Sequence, residues 1–104
     1  MNFIETFKKE RVRHEMCGEL GIPNDHEDIY IDLCTKLIEG LHGLSRLEII
    51  CIKEKLIHNK SDKDIAADND VNYYSIPSTY RNACKKINEK FKYMGDQDDT
   101  GKKS

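Results

Sequence analysis

The residues best suited to chemistry stand close together, at Tyr73, Tyr74, Ser78, Thr79, Arg81, Asn82 and Lys85. A guanidinium can bond two acceptors of guanine at once, and a carboxamide can do the same for adenine. Hydroxyls and an ammonium group can hold phosphate oxygens. We read these seven residues as the exposed front of one helix that enters a DNA groove, with Arg81 and Asn82 on bases and Ser78, Thr79 and Lys85 on phosphates. Residues 79–94 carry five basic side chains against one acidic one, which suits an anionic partner. Tyr80 belongs with the apolar stripe behind this front. Lys86, Lys90 and Lys92 read as solvated, with phosphate within their reach.

Other chemistries find little support. Cys17, Cys34, Cys51 and Cys84 form no C-x-x-C pair, and no histidine completes a zinc pattern with them. They read as reduced, partly buried thiols. The four histidines (14, 26, 42 and 58) are dispersed and read as surface residues. His26-Glu27-Asp28 has the composition of a ligand set, but it opens a helix, where acidic residues are expected anyway. The glycines make no phosphate-binding loop. The sequence therefore predicts no enzyme, no cofactor and no metal site.

Helices must position the front. No strand-like alternation or internal repeat occurs, while helical spacing and cap signals recur. Residues 2–20 form a first helix with Phe3, Ile4, Phe7, Met16 and Leu20 as its stripe, ended by Gly21-Ile22-Pro23. Asn24 with Glu27 reads as a capping pair for a helix over 25–41. That helix shows Tyr30, Leu33, Cys34, Leu37, Ile38 and Leu41 on one face, and Gly43 suits a left-handed stop. Ser45 and Glu48 form a second capping pair, before a helix over about 46–58 that buries Leu47, Ile50, Cys51 and Ile57. A turn at 58–60 leads to a short helix over 61–68, capped at Ser61 and holding Ile65, Ala66 and Ala67. After a turn at 69–72, Ile76, Tyr80, Ala83, Ile87 and Phe91 mark the last helix at spacings of four, three, four and four.

Residues 44–91 resemble the helix-turn-helix shared by the fourth region of bacterial sigma factors and LuxR-type output domains. The likeness rests on Leu44-Ser45-Arg46-Leu47-Glu48-Ile49-Ile50, Asn59-Lys60-Ser61, Asp64-Ile65-Ala66, Val71-Asn72, Ser75-Ile76 and Ala83-Cys84-Lys85-Lys86-Ile87, with no gap. It implies a short helix laid across a recognition helix, with Ala66 allowing close approach, Val71 plugging the turn and Ile76 anchoring the last helix. The chain departs from the family pattern at Asn69, where Leu is usual, and at Pro77, where a basic residue is common. If the last helix is capped at Asn72, Pro77 is its fifth residue and removes a hydrogen bond. A start at Ser75 places Pro77 where no bond is needed, and leaves both tyrosines in a lengthened turn.

The expected fold is all-α, a small tetrahelical helix-turn-helix domain with an additional N-terminal helix. It spans residues 1–94, split at 43/44, ahead of a disordered tail over 95–104. The expected function is sequence-specific, transcription-regulating binding of duplex DNA. The alternative is a module that binds RNA polymerase or another regulator and has no DNA site of its own. Residues 1–43 carry 5 Lys/Arg against 9 Asp/Glu, and residues 44–94 carry 10 against 7, so charge divides the chain as the motifs do. Helix 2–20 has apolar surface to spare, and a homodimer is expected, since many regulators of duplex DNA read paired half-sites. No apolar run approaches the ~18 residues of a membrane span. The cytoplasm of a bacterium, or of a phage's host, is the expected compartment.

Overall fold

The computed structural model describes residues 2–92, and among these it is all-helical, with no strand. The tail expected over 95–104 lies outside the described residues. The elements are α1 (Phe3–Leu20), α2 (Glu27–Gly40), α3 (Arg46–Cys51) continued by a π-helical stretch (Ile52–Ile57), α4 (Asp62–Asn69) and α5 (Ser75–Lys90). They fall into two compact units, one of residues 2–42 with 87–92 and one of residues 43–86.

In the first unit α1 starts and stops where its local chemistry dictates. Asn2 Oδ1 accepts from the Glu5 N–H at 2.9 Å, and Gly21 closes the helix at φ +67°. The Ile4 N–H, which no residue of its own helix can accept, donates to Asn88 Oδ1 of α5 at 3.0 Å. Ile4, Phe7, Leu33 and Leu37 are buried. Phe3 stacks on Phe91 with ring centroids 4.7 Å apart, and Phe7 lies against Tyr30. At Gly40 a Cβ would stand 2.9 Å from the Phe91 ring, so any larger residue there would have to displace that ring.

Three expectations for this unit change. The helix after Asn24 begins at Glu27, not at 25, because Asn24 folds a turn ahead of it. Its Oδ1 accepts from the His26 N–H and its Nδ2 donates to Glu27 Oε1. Ile38 is 61% exposed despite its place in the stripe, since α2 buries only the narrower line Leu33–Leu37–Gly40. Met16 and Leu20 are also exposed, at 54% and 67%, because α1 buries its first half alone.

The second unit has the expected order of long helix, tight turn, short helix, tight turn and long helix. Its buried centre is Cys51, Ile65, Ala66 and Ile76, with Leu47, Ile50, Val71 and Tyr80 packed around it. Asn59 (φ +57°) and Asp70 (φ +54°) make the two turns in the left-handed region, which short polar side chains tolerate. The expected helix over 46–58 is not uniform, because from Ile52 it widens into π geometry. There the His58 N–H reaches back five residues to the Lys53 carbonyl. Ile52 and Leu56 are buried there, while Ile57, expected inside, is 38% exposed.

Candidate nucleic-acid interface

Asn72 builds the entrance to α5. Its side-chain oxygen accepts from the Tyr74 N–H at 2.9 Å, and its carbonyl accepts from the Ser75 N–H at 3.0 Å and the Ser75 hydroxyl at 2.7 Å. α5 thus begins at Ser75, and Pro77 falls in its first turn, where a missing N–H costs no helix bond. Asn69 is accommodated too. Its amide donates to the Ile65 carbonyl at 2.9 Å, turning a polar side chain back onto its own helix.

Ser78, Arg81, Asn82 and Lys85 are exposed at i, i+3, i+4 and i+7, so they share one face of α5. Ile76, Ala83 and Ile87 are wholly buried on the opposite side. Arg81 and Lys85 have no ion-pair partner among the described residues. Thr79 is half-buried, and the Ser78 hydroxyl already donates to the Ser75 carbonyl at 3.3 Å. Tyr73 and Tyr74 stand in the turn before α5 and not on it, 46% and 82% exposed, with their rings edge to face at 5.3 Å. Five of the seven expected residues therefore lie on α5, and the two tyrosines flank its start.

Tyr80 is core, as expected. It packs on the buried centre, burial raises its phenol well above the usual range, and Lys55 Nζ sits 4.8 Å from the ring centroid. Cys51 is wholly buried, and burial raises its thiol above the usual range. Two lysines read as solvated are in fact engaged. Lys90 Nζ donates to the Gly40 and His42 carbonyls at the end of α2. Lys86 Nζ meets the Glu48 carboxylate at 2.9 Å.

Glu48 is the residue that local spacing undervalues. Its carboxylate accepts from the Ser45 N–H at 2.9 Å while Ser45 Oγ accepts from the Glu48 N–H, which completes the capping box. The same carboxylate, 9% exposed, also takes Lys86 from α5, so one side chain ties the start of α3 to α5. The Ser45 backbone bond, and then Lys86, hold its pKa below 4.5. Stabilisation from its charged form is complete above pH 4.5 and is lost as pH falls through the lowered folded value. Glu48→Gln keeps the cap but not the charge. We expect it to lower stability at pH 7 by about 1 kcal/mol, and the gap from the parent chain should close under acid in urea titrations across pH.

α4 contributes little positive charge. Asp62 binds Lys55 at 2.6 Å and Asp68 binds Lys60 at 3.0 Å, while Asp64 and Asp70 are exposed and unpaired among the described residues. In the first unit, His14, Cys17, Gly18, Ile22, Asn24 and Glu27 line an open cavity of about 240 Å³. His14 Nδ1 is 2.9 Å from Glu27 Oε1, and its ring stacks on Tyr30. No group of three metal-binding side chains occurs among the described residues. The four cysteines are free thiols. No helix among these residues is long and apolar enough to cross a membrane. No family model, no curated protein and no solved structure matches this chain.

Proposed function

We propose that this chain is a sequence-specific, duplex-DNA-binding regulator of transcription in the cytoplasm of a bacterium or a phage's host. It acts by binding and not by catalysis. In this reading residues 43–86 form a helix-turn-helix of the sigma-region-4 and LuxR type, and α5 is its recognition helix. The observation that carries the proposal is the face Ser78–Arg81–Asn82–Lys85, exposed and with its two cations unpaired, on a helix anchored from behind by Ile76, Tyr80 and Ala83. A guanidinium next to a carboxamide on a groove-sized helix matches the donor and acceptor code of base edges. Lys85 supplies a phosphate contact, and the Ser78 hydroxyl supplies another by turning from the Ser75 carbonyl.

Selection of bound duplexes from random sequence tests this directly. A recovered motif is expected, with affinity that falls as salt rises by about 0.9 log units per log unit of salt for each phosphate neutralised. Absence of duplex binding at low salt would refute the proposal.

A second reading is favoured by α4 and the turn after it, whose exposed Asp64 and Asp70 would repel phosphates. In that reading the module binds RNA polymerase or another regulator and reads no DNA of its own. Capture of core polymerase by the pure chain, together with no selected motif, would establish it. A selected motif without polymerase capture would eliminate it.

A further inference from the structure

We propose that α1 pairs antiparallel with α1 of a second copy of the chain, through its outward face. Val12, Met16 and Leu20 follow one another at four-residue spacing, and each is more than half exposed, at 54%, 54% and 67%. Ile4, Phe7 and Glu10 are buried on the opposite side of the helix, so this stripe lacks a partner among the described residues. A continuous apolar line on a soluble surface marks a contact site.

Charge along the stripe identifies the occupant and its direction. Lys9 stands beside the N-terminal end of the line and Glu19 beside its C-terminal end. Both side chains are exposed, and neither has an ion-pair partner among the described residues. A parallel pair of α1 helices would set Lys9 against Lys9 and Glu19 against Glu19. An antiparallel pair centred between Val12 and Met16 sets Lys9 against Glu19 of the second copy, twice, and Val12 against Met16 of the second copy, twice. The patch is thus complementary to itself under a two-fold axis, as an isologous dimer requires. Arg11 and Glu15 already pair with each other at 3.2 Å, and Arg13 lies 3.4 Å from Glu10, so these charges do not oppose the arrangement.

Sedimentation equilibrium of the full chain tests the proposal. The parent should show twice the 12.1 kDa chain mass at high micromolar concentration. Met16→Glu should sediment as a monomer with unchanged helical circular dichroism, because Met16 is more than half exposed and outside the buried core. Lys9→Glu and Glu19→Lys should each lose the dimer, since each brings two pairs of like charges together. The double variant Lys9→Glu/Glu19→Lys should recover it, and a parallel pair would show no such rescue. A monomeric parent, a dimer that survives Met16→Glu, or a double variant that stays monomeric would overturn the proposal. None of these outcomes depends on DNA binding.

Discussion

Ile76→Ala is expected to destabilise the chain by about 2–5 kcal/mol, the usual cost of emptying a fully buried aliphatic site. Ile76 has no exposed surface and sits in the second residue of α5, against Cys51, Ile65 and Ala66. The cavity would open where the short helix meets the long one, and Pro77 beside it limits how far the α5 backbone can follow. A loss of that size is a large part of the about 5–15 kcal/mol that holds a domain folded. Urea titration should show a lower midpoint with an unchanged slope. Ile38→Ala is the contrast, since Ile38 is 61% exposed and its loss should stay within about 0.5 kcal/mol. Equal losses from the two substitutions would contradict the burial described here.

The second large effect concerns DNA. If α5 reads duplex DNA as proposed, Arg81→Ala should cost about 1–3 kcal/mol of specific binding and relax preference at one base pair, through loss of a two-pronged contact to guanine. Lys85→Ala should weaken all duplexes more evenly and reduce the salt slope by about one unit, as expected for one phosphate contact. Both side chains are exposed and unpaired, so the melting temperature should hold in each variant. Binding measured against the selected duplex and single-base variants of it, at several salt concentrations, separates the two roles. If Arg81→Ala lowers all sequences equally, Arg81 is a phosphate contact and not a base reader. If it changes nothing, this face of α5 is not a DNA-reading surface.

The helices themselves are legible because their signals are local. Asn2, Ser45 and Ser61 cap with side chains that reach three residues ahead, and Gly21, Asn59 and Asp70 stop or turn the chain through their own backbone angles. Such interactions close within four or five residues, so the linear order contains both partners. The buried line Ile76–Ala83–Ile87 is visible for a related reason: α5 is amphipathic, and its solvent face holds no large apolar residue to blur the period. The candidate front on α5 follows from the same period read on its other side.

Other features depend on partners that arrive from far along the chain. Lys86 and Glu48 are 38 residues apart, and nothing in the spacing of either announces the other. Ile38, Met16 and Leu20 satisfy an apolar period as well as Leu33 does, but burial depends on how much surface a neighbouring element covers, which an isolated helix does not specify. The π-helical stretch at Ile52–Ile57, in which Leu56 is buried and Ile57 exposed, is a choice that helical propensity does not encode. The start of α5 lay between two sequence-compatible positions, and the hydrogen bonds of Asn72 decide it at Ser75. By itself the sequence determined the helical class, the caps at Ser45 and Ser61, and the polar face of the last helix, because each is settled over a few residues. Tertiary structure decided which apolar residues are covered, which charges are already paired and where the helical phase shifts, because those outcomes depend on surfaces brought together from distant parts of the chain.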